Sequence, residues 1–478
     1  ILIIEEKPFF TQFQKKKIII VKLMINIHKD QNLYIFFLLN FSLFIASPLL
    51  INLSLLVIGI ISVYFFDTKL FKQKEIIIFS ILIVLILLTT MFSDMETMSK
   101  LYSLSWLKFF LLFIFLFQFT NEMNEKKFKK YSKFFLYFFY ILILDIFLQR
   151  FLGYELFNNQ LIEGRSTGPY TNKLIPGAII LFVGFLPFFF KIQEYVSKNK
   201  FIKATIISNI FFISIFITGE RMNTLMSFLA ILLITLILFR YKKFLISFLI
   251  IYILSIFLIL NNYEYDGNKY FASRFNDFLK YSKLSTKSMN KSENSESLNL
   301  TSSSIDNISD NEISIKKNEK SIFDNPWGAH YLTAFEIWKD HLFFGAGNKS
   351  FRYNCVNYDF IKSSKKNVRC STHPHNIYLE ILSEFGLIGF ILFISLNLMI
   401  FYKSLKYLKS CYKYKLNNNF NIRLLISVFI IFILLIWPIK STGRISSTFY
   451  GTIYWFYVFF LCTLNYKVKK ILTNFKTK

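Results

Sequence analysis

The residues best suited to chemistry are histidines that gather in one part of the chain. Three of the five histidines are His330, His373 and His375, and the last two flank Pro374. Pro favours the first turn of a helix, so the sequence predicts that His375 lies at a helix N-terminus. There the helix dipole disfavours protonation of the imidazole, whereas a bound anion favours it. A neutral imidazole of this kind suits a general base, and a solvated or capping side chain is the alternative.

A metal site is the other chemistry that neighbouring histidines can support. The chain has no His-Glu-x-x-His segment and no paired-cysteine spacing, and it lacks an Asp-x-Asp pair that would hold a divalent cation. We therefore predict an activity that needs no metal and no other cofactor.

Long apolar segments must position these side chains. The chain has 478 residues, 54% hydrophobic and 19% aromatic, in blocks close to the roughly 20 residues that cross a bilayer. This pattern excludes a soluble enzyme, a disordered chain and a collagen-like fibre, and the lipid interior requires helices. We predict an all-α polytopic membrane protein with about twelve transmembrane helices, or eleven if the first two form one element broken at Pro48. The predicted spans are 33–47, 49–66, 76–92, 101–120, 131–150, 173–190, 201–217, 222–239, 244–261, 376–402, 424–440 and 449–466.

Positive charges set the predicted orientation of these helices. The net charge is +27, and with a cytoplasmic N-terminus the inner segments hold 32 Lys and Arg residues against five in the short outer loops. By the positive-inside rule both termini are cytoplasmic, and the charge lies at the membrane surface, so a nucleic acid is not the expected partner. The predicted organisation is a cytoplasmic segment 1–32, helices one to nine in 33–261, a periplasmic loop 262–375, helices ten to twelve in 376–466 and a cytoplasmic tail 467–478.

The large periplasmic loop divides by composition. Residues 280–321 are rich in Ser, Asn and Lys with almost no aromatic side chains, so we predict disorder. Residues 323–375 carry many aromatic side chains and are predicted to form a small ordered lid. Cys355 and Cys370 both lie in this half, and an oxidising compartment favours a disulfide between them over two free thiols. Such a bridge closes a loop of about 15 residues and stabilises the lid by roughly 3 kcal/mol.

Cations on the predicted outer side form a second candidate group. The positive-inside rule disfavours them there, so as a set they indicate an anion-binding site. Arg suits a diphosphate because its planar guanidinium donates two hydrogen bonds at once. For any one of them, a side chain that faces lipid phosphates is the alternative. The set comprises Lys108, Arg150, Arg165, Arg221, Lys440 and Arg444.

Around these histidines and arginines the sequence resembles the O-antigen ligase and polymerase family of bacterial envelope enzymes. His375-Asn376, followed at the family's spacing by Gly386 and Gly389, is similar to its His-Asn segment with spaced glycines. Arg221–Leu225 resembles the family's Arg-x-x-x-Leu element. Further similar segments are Gly164–Pro169 with Asn172, and, in a ligase-like lid, Ala329–Tyr331, Phe344–Gly347 and Phe351-Arg352.

The resemblance implies a C-type membrane glycosyltransferase in the bacterial inner membrane, with a donor glycan carried on undecaprenyl diphosphate. His375 would deprotonate an acceptor hydroxyl on the lipid A core or on another glycan, and attack would invert the anomeric carbon. Arg221 and Arg165 would hold the departing diphosphate in place of a metal. The resemblance further assigns binding roles to His330, Arg352, His373 and Asn376, and structural roles to Gly386, Gly389 and a Cys355–Cys370 disulfide.

The chain departs from the family in the lid, and other functions stay open. Where many members carry an Arg, this chain has His330, so the second phosphate-binding residue is undecided between His330 and Arg352. A polymerase of repeat units would use the same donor, and a related enzyme would attach the glycan to protein. A lipid-linked glycan transporter would need charges at several depths and symmetry between its halves, and the sequence shows neither.

Overall fold

The chain is all-helical throughout its described part, as the sequence predicts. The computed structural model describes residues 32–64, 73–93, 97–152, 161–162, 164–170, 173–239, 241–261, 326–358, 370–416, 419–438, 440–441 and 443–476. Within these ranges it contains helices and no β-strand. Almost all of the predicted N-terminal segment, and the segment 280–321 for which disorder was predicted, lie outside the described residues.

The first half of the chain forms helices over its apolar blocks. The first two predicted segments are separate helices, because Ala46 between them has φ 54° and Pro48 begins the second. The fourth block bends through a 3-10 turn at Leu104–Trp106. These helices are α1 (Asn32–Ile45), α2 (Pro48–Tyr64), α3 (Lys74–Met91), α4 (Thr97–Ser103), α5 (Leu107–Glu122) and α6 (Glu125–Leu152).

The second half adds the lid helices and the helix that follows the histidines. Its first helix contains a π-helical stretch, Ile179–Gly184, a form that is frequent at functional sites. The lid consists of α11, α12 and a 3-10 turn at Cys355–Asn357. The helices are α7 (Pro176–Ser197), α8 (Phe201–Ile217), α9 (Arg221–Ile237), α10 (Lys242–Asn261), α11 (Pro326–Asp340), α12 (Phe351–Asn354), α13 (Ile377–Lys413), α14 (Phe420–Leu435) and α15 (Tyr450–Lys476).

Length and composition fit a polytopic membrane protein. Among the described residues, six helices are long and apolar enough to cross a membrane: Lys74–Met91, Lys100–Glu122, Glu125–Leu152, Pro176–Ser197, Lys242–Asn261 and Ile377–Lys413. Five other helices are apolar but shorter, so the predicted number of spans stays a prediction. Large apolar side chains cover the outer face of α10, where Ile250 and Ile253 are 60% and 65% exposed. Such a face is costly in water and compatible with lipid.

Helix packing brings the loops with candidate residues to the ends of two groups of helices. α13 packs against α3, α15 and the lid helix α11, whereas α7 packs against α6, α8 and α14. Aromatic side chains fill the centre, where the rings of Trp106 and Trp455 lie 5.7 Å apart and Phe79 lies 4.7 Å from Trp455. The first group carries the histidines, and the second group carries the arginine-bearing loops.

Candidate active site

Three histidines meet where the lid contacts the chain just before α13. The ring of His375 lies with its centroid 4.1 Å from that of His373 and 5.5 Å from that of His330. His330 comes from α11, and both it and His373 are buried. The structure therefore brings three predicted site residues together, and we call them the histidine cluster.

His375 precedes the helix. Its φ of 57° is a left-handed conformation that is uncommon outside glycine and is characteristic of functional sites when the surroundings enforce it. α13 begins at Ile377, so Pro374 is not in its first turn as expected, because Asn376 caps the helix instead. The Asn376 side-chain oxygen accepts hydrogen bonds from the amides of Tyr378 and Leu379 at 3.0 and 3.2 Å. Its amide nitrogen donates to the carbonyl of Pro438 at 2.9 Å.

The environment of His375 keeps the imidazole neutral. Burial is the main cause that lowers the pKa of His375 to about 3, and the neighbouring His373 and His330 lower that pKa further. From the sequence we predicted that the helix dipole keeps the imidazole of His375 neutral. In the structure the causes are instead desolvation and the like charges of the neighbouring histidines. At neutral pH the ring therefore has a nitrogen free of a proton, although it is a weak base until an anion binds nearby.

The spaced glycines form the bend that attaches the lid to α13. Gly386 interrupts the helix with φ 66° and ψ −168°, and the two amides after it donate to the lid carbonyls of Leu342 and Phe343 at 2.8 and 3.2 Å. A Cβ at Gly386 would lie 2.3 Å from the Phe343 carbonyl oxygen, and one at Gly389 would lie 2.5 Å from the Phe385 side chain. The glycines therefore permit a backbone contact that no larger residue allows.

Two buried carboxylates on α13 neutralise one of the predicted anion-binding cations. Arg444 donates to both carboxylate oxygens of Glu384 at 2.9 and 3.0 Å and lies 3.7 Å from Glu380. It also donates to the hydroxyl of Ser446 at 2.6 Å and to the carbonyl of Thr372 at 3.5 Å. Arg444 therefore braces the segment before His373, and we call Glu380, Glu384 and Arg444 the carboxylate cluster.

Arg165 and Arg221 lie on two adjoining loops, 164–168 and 218–221, which we call the arginine loops. The amide of Ser166 donates to the carbonyl of Thr218 at 3.1 Å, which joins the loops. Within the described residues, Nε of Arg221 is buried without a hydrogen-bond acceptor. Since a buried guanidinium donor normally has an acceptor, this loop has capacity for an anion.

Glu220 is a candidate functional residue that the sequence analysis did not single out. Its carboxylate accepts hydrogen bonds from the amide of Gly177 at 2.6 Å and from the side chain of Asn223. Burial raises the pKa of Glu220 to about 7, although these hydrogen bonds and the charge of Arg165 act in the opposite direction. Its position directly before Arg221 was the only signal in the sequence.

The end of α6 holds the first arginine loop. Gln149 accepts hydrogen bonds from the amides of Thr167 and Gly168 at 2.9 and 3.1 Å, and Arg150 donates to the carbonyl of Gly164 at 3.1 Å. Arg150, predicted among the anion-binding cations, is fully buried and is used to shape the loop that carries Arg165.

The lid carries the last predicted site residues. Cys355 and Cys370 form a disulfide with their Cα atoms 5.3 Å apart, and the hydroxyl of Tyr358 donates to Asp340 at 2.6 Å. Arg352 lies in α12, and its side chain is exposed. Within the described part of the chain, no group of three or more His, Cys, Asp or Glu side chains is arranged to hold a metal ion.

Comparison with known proteins agrees with the motifs in this site. Residues 206–394 match the family model described as Wzy_C, O-antigen ligase, a stretch that includes Arg221, the lid and the run from His375 to Gly389. No curated protein matches the chain in sequence. The match, together with the apolar helices, supports a multi-pass membrane protein with a general role in the transfer of lipid-linked glycans. The resemblance drawn from the sequence is thus confirmed for residues 206–394, which match the O-antigen ligase family model.

Proposed function

We propose that the chain transfers a glycan from undecaprenyl diphosphate to a hydroxyl of the lipid A core at the periplasmic face of the bacterial inner membrane. The observation that carries the proposal is the half-buried, neutral His375, whose ring lies beside those of His373 and His330 inside a segment that matches the O-antigen ligase family. In this proposal the twelve predicted spans cross the membrane, both termini are cytoplasmic and the segment 262–375 is periplasmic.

The reaction requires a base and a stabilised leaving group. His375 takes the proton from the acceptor hydroxyl, and that oxygen attacks the anomeric carbon of the donor sugar from the side opposite the diphosphate. The new glycosidic bond forms while the bond between the anomeric carbon and the phosphate oxygen breaks, with inversion. The electron pair of that bond leaves with the diphosphate, so the step needs no redox partner.

The donor itself raises the basicity of His375. Burial and the neighbouring His373 and His330 hold the pKa of His375 at about 3, too low for efficient proton transfer at neutral pH. A diphosphate close to the histidine cluster favours the imidazolium and raises that pKa. Proton abstraction is therefore coupled to donor binding, which limits loss of the donor before an acceptor arrives.

The arginine loops supply the diphosphate site. Arg221 has a buried donor without an acceptor in the described part of the chain, and Arg165 lies on the adjoining loop with Glu220 close to its charge. Burial raises the pKa of Glu220 to about 7, so at neutral pH its carboxyl is partly protonated and offsets the charge of the two arginines only in part. They stabilise the charge that develops on the leaving diphosphate.

The remaining predicted residues position the reactants. His373 and His330 flank the base, Asn376 fixes the backbone after it, and Arg352 at the lid surface is suited to an acidic group of the acceptor. His330 stands where the family often has an Arg, and its ring N–H can still donate to one phosphate or hydroxyl oxygen.

The test uses a deletion strain complemented with wild type, His375→Ala or the matched control His341→Ala, whose histidine is exposed on the lid. Lipopolysaccharide and lipid-linked glycan are both resolved on gels. The ligase is supported if the deletion strain and the His375→Ala strain accumulate long glycan on undecaprenyl diphosphate and have bare lipid A core, while the His341→Ala strain resembles wild type. Single repeat units on the core without long lipid-linked chains indicate a polymerase, and no change in either pool reopens protein glycosylation and transport.

A further inference from the structure

Lys440 is a buried cation that has no counterion in the part of the chain that the structure describes. It lies in the segment between α14 and α15 and is only 3% exposed. Its Nζ lies 4.0 Å from the ring centroid of Phe182 and 5.3 Å from that of Tyr450, and it has no hydrogen-bond acceptor there. Buried ammonium groups are rarely left in this state, and two aromatic faces replace only part of the lost hydration.

A second unmatched donor lies beside the first. The hydroxyl of Tyr450 is also buried without a hydrogen-bond partner among the described residues, and Lys440 contacts the ring of that tyrosine. Two neighbouring donors without acceptors indicate a missing group that is rich in oxygen acceptors. A phosphate meets this requirement, because it offers several charged oxygens to one ammonium and one hydroxyl.

The contacts of this segment lead to both halves of the proposed site. On one side, the carbonyl of Pro438 accepts the hydrogen bond from Asn376, the residue after His375. On the other side, Phe182 lies one helical turn after the start of α7, where the amide of Gly177 binds Glu220 of the arginine loops. Phe182 also belongs to the π-helical stretch of α7. Lys440 therefore contacts the helix that leads to the arginine loops, and its own segment is fixed to the histidine side.

We propose that Lys440, assisted by the Tyr450 hydroxyl, binds a phosphate oxygen of the donor diphosphate and is a third cation of that site besides Arg165 and Arg221. The inference rests on the proposed function, since it assigns a ligand to the same site. It adds Lys440, a residue outside the lid, to His330 and Arg352 as a candidate for the second phosphate-binding residue. Arg444, four residues further along, has no such capacity because Glu384 occupies it.

The experiment measures binding of farnesyl diphosphate to purified full-length protein in detergent, with farnesol as the uncharged probe. The variants are Lys440→Met, Tyr450→Phe and Arg221→Met, and the matched control is Lys173→Met, which removes an exposed lysine. Hydrogen bonds to charged groups typically give about ten- to hundredfold in affinity. We expect Lys440→Met to weaken farnesyl diphosphate binding by about that factor and Tyr450→Phe by less, with farnesol binding unchanged and the control equal to wild type.

The outcomes separate this inference from the proposed function. If Lys440→Met and Tyr450→Phe bind farnesyl diphosphate like wild type while Arg221→Met does not, the inference is overturned and the proposed function stands. If wild type shows no preference for farnesyl diphosphate over farnesol, both are overturned. Unchanged farnesol binding shows that each variant is folded. If Lys440→Met does not fold, Tyr450→Phe still tests the inference, because it removes only the hydroxyl and keeps the ring.

Discussion

Arg444 and Lys440 lie in the same segment between α14 and α15, yet the protein surrounds their charges in opposite ways. Arg444 is held by Glu384, Ser446 and the carbonyl of Thr372. Lys440, equally buried, contacts two aromatic rings and has no acceptor among the described residues. The charge of Arg444 stabilises the fold, whereas the charge of Lys440 is available to a ligand.

The same distinction separates the two sides of the candidate site. On the lid side, Arg444 donates to Glu384, lies 3.7 Å from Glu380 and braces the segment before His373. On the side of the arginine loops, Arg150 shapes a loop while Nε of Arg221 has no acceptor in the described structure. A positive charge on the predicted outer side is therefore not by itself evidence for anion binding, and its partners decide its role.

Arg444→Met is the strongest test of this distinction. It leaves Glu384 buried without its cation, so the free energy of unfolding should fall by about 3–5 kcal/mol. Lys440→Met removes a cation without a described partner, so the free energy of unfolding should fall by less than about 1 kcal/mol or should rise. Thermal melting of both purified variants in detergent measures their loss of stability relative to wild type. Equal losses in the two variants would contradict the comparison, and Arg444→Met combined with Glu384→Gln should recover part of the loss.

Removal of the disulfide tests whether the lid side depends on fixed covalent structure. The bridge joins residues 15 apart, and opening a loop of that size should lower the free energy of unfolding by about 3 kcal/mol. Melting of the Cys355→Ala, Cys370→Ala double variant, with and without reductant, checks this. Reductant should lower the melting temperature of wild type and leave that of the variant unchanged, and a matching fall in the variant would show that the bridge is not the cause.

Gly386→Ala probes the backbone contact between α13 and the lid. A Cβ would lie 2.3 Å from the carbonyl oxygen of Phe343 at a residue with φ 66°, so we expect a loss of roughly 1–3 kcal/mol in the free energy of unfolding. The control is Gly59→Ala, where the nearest group is the flexible end of Leu111 at 3.0 Å and a helical alanine is favourable. Melting curves that do not distinguish the two variants would argue against the bend.

Glu220 gives a pH dependence of stability on the side of the arginine loops. Its pKa is raised to about 7 in the folded protein, above the ordinary value of about 4.3, so the folded state holds a proton that the unfolded state releases. The contribution of the protonated Glu220 carboxyl to the free energy of unfolding is fully present below about pH 4.3. It falls by at most about 1.4 kcal/mol per pH unit as the pH rises toward 7.

The measurement compares melting temperatures of wild type and Glu220→Gln across that pH range. The melting temperature of wild type should fall with rising pH more steeply than that of Glu220→Gln, which lacks the titrating carboxyl. An equal fall in both proteins would mean that burial does not hold the Glu220 carboxyl protonated.

The helices and the principal catalytic candidate could be predicted from the sequence because their signals are local. Apolar blocks of membrane length predicted the long helices outside the lid, and His375, Gly386 and Gly389 lie within one short segment of the sequence. The proximity of His330 to His375 was not predicted, since 45 positions separate them in the sequence. The structure shows their rings 5.5 Å apart.

The pairing of buried charges could not be predicted, because it depends on contacts between distant segments. Nothing in the sequence near Arg444 reveals that Glu384 neutralises it, since the two lie 60 residues apart. For the same reason the outer cations appeared equivalent. Glu220 was overlooked because a carboxylate beside an arginine usually indicates a simple ion pair, whereas burial governs its protonation here.

The most direct test of the central claim is the rate of glycan transfer by purified His375→Ala protein, with His341→Ala as control. Both are assayed with saturating undecaprenyl-diphosphate-linked glycan and lipid A core, and farnesyl diphosphate binding is measured in parallel. Loss of a general base predicts a rate about 10²–10⁴ times lower, with diphosphate binding retained and His341→Ala unaffected. Transfer by His375→Ala within a few-fold of wild type would contradict the account and remove His375 from the mechanism.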